Sequence, residues 1–209
     1  MLRLYNWLEF VRDVINRKSQ IILRSGPVDQ KLNDRVFDHE MRRAVKLTDE
    51  AYSKMLYKEA LKVGFFELQT VLNKYRELCG SEGMNETLIN KFIDVQTLLL
   101  CPIAPHIAEE VWEITGKSTF AVQSQFPAVE EYDPILIESS EFLADTVRDA
   151  RLKLKDRLAP KKGKGPVEIP TNATIFVAKE YPKWQALCLA VLREGIRVTK
   201  KVTGRESFF

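Results

Sequence analysis

The sequence predicts a mainly α-helical protein, in which an antiparallel helical bundle is followed by a small α/β segment. From residue 1 to about 158, apolar residues recur at intervals of three, four or seven positions, which is the period of helices that bury one face. Clusters of glycine and proline divide this stretch into separate helices. Beyond it, a stretch rich in proline and lysine leads to one short β-branched run. These observations favour a helical body with a small appended element.

Three helices are predicted before residue 80. The first has an apolar face running from Leu4 to Ile22, and the sequence 24–27, which contains Gly26 and Pro27, ends it. The second covers about 28–48. The third covers about 51–79, and the glycine-containing sequence 80–83 stops it.

Three further helices are predicted up to residue 158. The fourth covers about 85–100, with Asn85 as its N-cap. Two prolines at 102 and 105 force a break, since proline lacks an amide hydrogen and restricts the residue before it. The fifth covers about 104–115 and is followed by Gly116, a favourable residue just after a helix C-terminus. A long connection over 116–133 leads to the sixth helix, at about 135–158.

The pattern changes after residue 158. Residues 159–170 contain three prolines and three lysines and are predicted to be a linker. The run Thr174-Ile175-Phe176-Val177-Ala178 predicts a strand, and 181–192 a helix, so 171–194 is expected to begin a small α/β region. Residues 195–209 lose the helical pattern and are predicted to be a divergent tail.

Composition excludes several classes of protein. Apolar residues make up 45% of the chain and charged residues 29%, as in ordinary globular proteins. The three cysteines are widely spaced, which argues against a disulfide framework and favours a reducing compartment such as the cytosol. The longest apolar run, 98–105, is far shorter than the roughly 20 residues that span a bilayer, so no membrane contact is expected.

No catalytic or metal-binding motif is evident. The chain contains only two histidines: His39, predicted to lie on a helix surface, and His106, predicted to be structural or exposed. Neither belongs to a zinc-binding motif, and no phosphate-binding loop or nucleophile elbow occurs. Gly163-Lys164-Gly165 neither follows a strand nor opens a helix, so it is interpreted as linker. No catalytic residue, metal site or cofactor is therefore predicted within the chain.

Charge is distributed unevenly. Residues 1–147 carry 17 basic and 23 acidic side chains, whereas 148–209 carry 15 and 6. The densest basic segment, 148–164, carries eight basic and two acidic residues. Winding the sixth helix at 100° per residue places Leu143, Val147, Ala150, Leu154 and Leu158 on one apolar stripe, with basic residues on both of its flanks.

Two interpretations of the basic segment remain open. In the first it contacts the phosphate backbone of a nucleic acid, a common role of basic extensions. The candidate binding residues are Arg148, Arg151, Lys155, Lys161, Lys162 and Lys164. In the second, the flanking residues pair with the acidic helical body. Their position favours the second interpretation for Lys153 and Arg157, while the three linker lysines favour the first.

Aromatic side chains supply weaker candidates. Trp7, Tyr75 and the pair Phe65-Phe66 could stack on bases, yet aromatic residues at helical spacing are more often part of a core. Trp184 is predicted to be exposed. Base stacking is therefore not predicted from these residues.

Several long strings in the sequence resemble one family. They are residues 2–7 (LRLYNW), 33–37 (NDRVF), 57–67 (YKEALKVGFFE), 74–78 (KYREL), 92–100 (FIDVQTLLL) with Pro102 and Pro105-His106, and 174–179 (TIFVAK) with Tyr181-Pro182 and Trp184. In this order they resemble the anticodon-binding region of cytosolic leucyl-tRNA synthetases of the eukaryotic and archaeal type, which are class I enzymes. The resemblance covers about residues 1–194.

The resemblance implies a helical bundle of the class I synthetase anticodon-binding type, with tRNA(Leu) as partner and the cytoplasm as location. The multi-synthetase assembly and other translation proteins are further candidate partners. Leucine activation with ATP and Mg²⁺ would belong to a catalytic domain whose motifs are absent here, as is the editing domain. The chain is thus expected to be a fragment that is inactive in aminoacylation alone and contacts the tRNA backbone. The alternative is a non-catalytic protein-interaction module derived from a synthetase.

Overall fold

The computed structural model describes residues 2–18, 21–28, 31–158, 172, 174, 176–177 and 180–203, with side chains up to residue 195. The chain divides into two compact units, Met1–Leu152 and Lys153–Phe209. The helices are α1 (Leu2–Ile15), α2 (Leu32–Ser53), α3 (Tyr57–Leu61), α4 (Leu68–Cys79), α5 (Glu86–Leu100), α6 (Pro105–Ile114), α7 (Pro134–Leu158) and α8 (Lys183–Thr203). The mainly α fold class is confirmed.

Two helix ends follow the local rules that predicted them. The side-chain oxygen of Asn85 accepts hydrogen bonds from the backbone N–H groups of Thr87 and Leu88, at 3.0 and 3.3 Å. Gly116 follows α6 with φ of 74°, the left-handed conformation that glycine adopts without a steric penalty. Local chemistry therefore sets the start of α5 and the end of α6.

The prediction of one continuous helix at 51–79 is wrong, because the helix breaks at 54–56 and then contains a π-helical segment. α2 continues to Ser53, and Met55 then adopts φ of 56°, which breaks the helix. A π-helical segment, Lys62–Glu67, follows α3 and precedes α4. No glycine or proline marks the break at 54–56, so the sequence gives no local signal for it.

Packing accounts for the π-helical segment. Gly64 lies so close to α2 that a Cβ atom built on it would be 2.9 Å from the Thr48 Oγ1 atom and 3.3 Å from the Leu99 Cβ atom. The Phe65 carbonyl in this segment accepts a hydrogen bond from the Leu68 backbone N–H and a second one, of 3.1 Å, from the buried Gln96 amide. The segment thus joins α2 and α5 at close range.

The first helix is shorter than predicted, and a small parallel sheet follows it. α1 ends at Ile15, and Arg17 adopts φ of 48°. Strand β1 (Leu23–Arg24) pairs in parallel with strand β2 (Met84–Asn85). Two residues per strand are too few to give an alternating pattern, so periodicity could not predict this pair.

The predicted second helix begins later than expected, at Leu32. The predicted strand at 174–178 is not found among the residues of that range that the structure describes. Thr174, Phe176 and Val177 are not part of a strand, and Phe176 is 92% exposed. A strand needs a neighbour for its backbone hydrogen bonds, and β propensity does not provide one. Ile175 and Ala178 lie outside the described residues, as does the predicted linker.

The helix predicted at 181–192 begins at Lys183 and continues to Thr203. The expected loss of helical pattern after residue 194 is therefore wrong for 195–203, and 204–209 lie outside the described residues. Among the described residues, no helix is both long and apolar enough to cross a membrane.

Aromatic rings form the centre of the first unit. The fully buried Phe92 of α5 packs edge-on against Trp7 of α1, with 5.7 Å between ring centroids, and also contacts Phe37 of α2. Phe37 in turn stacks on Tyr75 of α4 at 4.3 Å. This chain of contacts holds four helices together.

The structure confirms the core assignment for most of the aromatic candidates. Trp7, Phe65 and Tyr75 are buried, and Phe66 is 43% exposed. Trp184 is exposed, as predicted.

A buried hydrogen-bond network surrounds Asp34 at the start of α2. The Asp34 carboxylate has no exposed surface; it accepts a 2.6 Å hydrogen bond from the Tyr75 hydroxyl and pairs with the Arg24 guanidinium. The Tyr75 oxygen accepts a 2.9 Å bond from the Asn85 backbone N–H. Arg24 also donates to the Gly83 carbonyl at 3.1 Å. Burial, followed by the hydrogen bond to Asp34, raises the pKa of the Tyr75 hydroxyl well above its ordinary value.

We expect Tyr75→Phe to lower the free energy of unfolding by about 1–3 kcal/mol, because one oxygen of Asp34 and the Asn85 N–H would lose their buried partner. Urea denaturation measures this change. Tyr5→Phe is the matched control, since Tyr5 is 58% exposed and forms no hydrogen bond through its side chain among the described residues. Equal stabilities of the two variants would contradict this account of the network.

We expect Gly64→Ala to lower the free energy of unfolding by about 1–3 kcal/mol through overpacking against Thr48. In a Thr48→Ala background the same change should cost much less, because the hydroxyl and methyl groups that the new Cβ meets would be gone. A double-mutant cycle in urea measures the difference. Additive effects of the two substitutions would show that the close approach at Gly64 is not what the alanine disturbs.

Candidate nucleic-acid interface

Helix α7, which carries part of the basic segment, is anchored at its beginning. The Asp133 carboxylate accepts hydrogen bonds from the backbone N–H groups of Ile135 and Leu136, at 2.9 and 3.3 Å. The Asp133 backbone N–H donates a 2.9 Å bond to Nδ1 of His39 on α2. Ile137 is buried one turn later. His39, predicted to be a surface residue, is instead half-buried and positions this helix start.

Charged pairs surround the same part of α2. The buried Glu40 lies 2.7 Å from Arg43, and burial raises the pKa of its carboxyl. Asp38 is also buried, and burial alone would raise its pKa. Hydrogen bonds and charges from Lys91 and Arg42 outweigh burial and lower the pKa of Asp38. The carboxylates of Asp38 and Glu40 therefore already have basic partners within the first unit.

From Glu141 onward every residue of α7 is exposed. The predicted apolar stripe is therefore not buried: Leu143 is 52% exposed and Leu154 is 46% exposed. Helical periodicity correctly predicted one apolar side, but periodicity does not show that another element covers it. The basic residues on its flanks are consequently accessible along the whole exposed part of the helix.

Three of the six candidate binding residues, Arg148, Arg151 and Lys155, lie in the described part of the chain. Arg148 lies 3.2 Å from Asp145 on the same helix, and Arg151 lies 3.6 Å from Glu77 on α4. Both pairs are strongly exposed and so hold the arginines only weakly. Lys155 is exposed and has no ion pair within the described part of its own unit.

The three linker candidates, Lys161, Lys162 and Lys164, lie outside the described residues, as does Gly163-Lys164-Gly165. The pairing of Lys153 and Arg157 with the acidic body stays a prediction. For Arg151, the contact with Glu77 on α4 supports the second interpretation, in which basic residues of α7 pair with the acidic helical body.

A second kind of site, besides the candidate interface, would be a metal site among the described residues. No group of three or more histidine, cysteine, aspartate or glutamate side chains among them could hold a metal ion. His106 is exposed, as predicted. Its neighbour Glu110 pairs with Arg12 of α1 at 2.9 Å.

Sequence reasoning missed a second polar surface, a groove of about 430 Å³ between α1 and α4. Its polar side chains include Arg3 and Asn6 from α1 and Gln69, Asn73 and Arg76 from α4. On each helix these positions are three, four or seven residues apart and so share a face. That spacing could have indicated a polar face on each helix, but not that the two faces lie opposite each other.

The comparisons with known proteins fit this helical architecture. Residues 34–165 match the model of the family described as the anticodon-binding domain of tRNA ligase. The chain belongs to this family. The match begins within α2, includes α3 to α7 and the whole basic segment, and leaves α1 before it.

Curated relatives of this anticodon-binding domain are leucine–tRNA ligases. The cytoplasmic leucine–tRNA ligase of Pongo abelii is 44% identical over 96% of this chain and 17% of that protein. That of Arabidopsis thaliana is 34% identical over 92% of the chain and 18% of that protein. The leucine–tRNA ligase of the archaeon Aeropyrum pernix is 31% identical over 71% of the chain and 15% of that protein. The chain thus spans less than a fifth of the length of these relatives.

We expect the double substitution Arg148→Ala and Arg151→Ala to change the free energy of unfolding by no more than about 0.5 kcal/mol, because exposed ion pairs contribute little. Urea denaturation of this variant beside the unchanged chain measures the effect. A loss of about 2 kcal/mol or more would show that these residues stabilise the fold rather than remain available for binding.

Proposed function

We propose that the chain is the tRNA-binding helical portion of a cytoplasmic leucine–tRNA ligase that acts on tRNA(Leu). The chief support is the match of residues 34–165 to the anticodon-binding domain of tRNA ligases. The names of its relatives support leucine as the amino acid and the cytoplasm as the location. In this proposal the chain contributes to leucyl-tRNA formation only when joined to a catalytic domain that binds ATP and Mg²⁺.

The charges of α7 favour contacts with the RNA backbone. Arginine and lysine neutralise phosphates and release condensed counterions, so binding of this kind weakens as salt is raised. Such contacts orient a protein on the nucleic acid but carry no sequence information. Arg148 and Arg151 are exposed and, among the described residues, form ion pairs with the exposed carboxylates of Asp145 and Glu77, which a phosphate can replace at low cost. Binding by the isolated chain should therefore be weak, sensitive to salt and poorly selective for sequence.

We expect simultaneous substitution of Lys161, Lys162 and Lys164 by alanine to weaken tRNA binding. If all three lysines contact phosphates, the slope of log affinity against log salt should fall by roughly 2–3. Filter binding of a tRNA(Leu) transcript at several salt concentrations measures both quantities.

The matched control removes three other exposed lysines, Lys54, Lys58 and Lys183, which form no ion pair among the described residues. It changes the net charge equally, so a loss of affinity confined to the linker variant indicates local contacts. Affinity that does not fall with salt, or equal effects in the two variants, would contradict the role proposed for the basic segment. The isolated chain should also show no leucine-dependent pyrophosphate exchange, and detecting that exchange would contradict the proposed dependence on a separate catalytic domain.

A further inference from the structure

The groove between α1 and α4 combines donors from two helices that do not neighbour each other in sequence. Arg3 and Asn6 lie on one side, and Gln69, Asn73 and Arg76 lie on the other. Within the described residues, none of these five side chains forms a hydrogen bond or an ion pair. A polar surface of this kind, open and of about 430 Å³, is large enough for part of an extended polymer.

One residue that lines the groove carries a buried donor without a partner among the described residues. Trp7 lines the groove and is 2% exposed, and its Nε1–H has no acceptor among the described residues. A buried donor left unsatisfied costs about 1–3 kcal/mol, so native structures seldom retain one without a reason. Because the Trp7 side chain lines the groove, its indole N–H can report on binding there.

The guanidinium group of Arg76 is positioned by a contact with an aromatic ring. Its guanidinium lies over the Phe10 ring, 5.3 Å from the centroid, which orients the planar group. Burial lowers the pKa of Arg76 below its ordinary value. The side chain as a whole is exposed, so its guanidinium is accessible to an anion in the groove.

The two carboxylates in the groove do not cancel these positive charges. Glu9 pairs with Arg12 at 3.0 Å, and Asp13 pairs with Lys18. Arg3 and Arg76 are therefore the charged side chains of the groove that have no ion-pair partner among the described residues.

We infer that this groove binds the ribose–phosphate backbone of RNA, at a second contact separate from the basic segment of α7. This inference rests on the proposed function.

Guanidinium groups bind phosphate oxygens in a bidentate manner. The amides of Asn6, Gln69 and Asn73 both donate and accept hydrogen bonds, which suits a ribose 2′-hydroxyl, itself a donor and an acceptor. The proposed function favours RNA over an acidic peptide as the source of the anion. Arg3 and Asn6 precede the residues matched by the family model, so the groove is not defined by that match alone.

The first experiment measures tRNA affinity against salt for the double variant Arg3→Ala and Arg76→Ala. Loss of two phosphate contacts should weaken binding about tenfold or more and lower the salt slope by roughly 1.4–1.8. The control Arg35→Ala with Lys58→Ala removes two exposed charges that form no ion pair among the described residues, and it should retain most of the affinity. Because Arg76 contacts Phe10, the variant Arg3→Ala with Asn73→Ala repeats the test without disturbing that contact.

The second experiment follows the Trp7 indole N–H by ¹⁵N NMR during titration of the whole chain with the tRNA transcript. Trp112→Phe and Trp184→Phe assign the signal, since the chain has three tryptophans. We expect the Trp7 signal to shift on addition of tRNA and to remain in place in the Arg3→Ala, Arg76→Ala variant. A titration with polyglutamate tests the alternative of an acidic peptide.

The outcomes separate this inference from the proposed function. If both groove variants bind tRNA with the original affinity and slope while the linker-lysine variant does not, the groove inference is overturned and the proposed function stands. A Trp7 signal that moves with polyglutamate but not with tRNA also overturns it. If the unchanged chain shows no salt-dependent affinity for tRNA, both fail.

Discussion

The buried carboxylate of Asp34 is the constraint on which the first unit depends. It lies at the start of α2 and binds Arg24 from β1 and Tyr75 from α4, and the Tyr75 oxygen continues the network to Asn85 before α5. A fully buried carboxylate is tolerated only where charge and hydrogen bonds satisfy it. The requirement therefore fixes four separate parts of the chain around one group. Asn85 then uses its side chain to begin α5, so the network also sets the position of the most buried helix.

The same network determines which surface α4 presents. Tyr75 faces the interior, and Arg76, 100° further around the helix, lies at the groove. α1 is fixed independently through Trp7 in the aromatic core and through the pair between Arg12 and Glu110 of α6. The groove is therefore a consequence of how two helices are anchored rather than of direct contact between its polar side chains. Within the described residues, these side chains consequently form no hydrogen bond or ion pair.

Local rules predicted the features that depend on a few neighbouring residues. The mainly α class followed from periodicity, and Asn85 and Gly116 were identified from capping preferences. The break near Met55, the π-helical segment at Gly64 and the pairing of β1 with β2 all depend on contacts with distant residues, and so the sequence contained no readable sign of them. Composition likewise located the basic segment at 148–164, because its charges are close together in sequence. The groove could not be found in this way, since Arg3 and Arg76 become neighbours only after folding.

Helix α7 is held by buried contacts near its N-terminal end, and the rest of its length is exposed. Buried contacts hold it at Ile137 and Ser140, and the twelve exposed residues from Glu141 to Leu152 extend about 18 Å beyond them. A tilt of about ten degrees at the support would therefore displace Leu152 by roughly 3 Å, comparable to the length of a hydrogen bond. The exposed pair between Arg151 and Glu77 restrains such a tilt near the far end, and a pair between Glu141 and Arg43 restrains it near the support. Replacing the Glu77 carboxylate by a ligand would change the position of Arg151 and the freedom of the helix together.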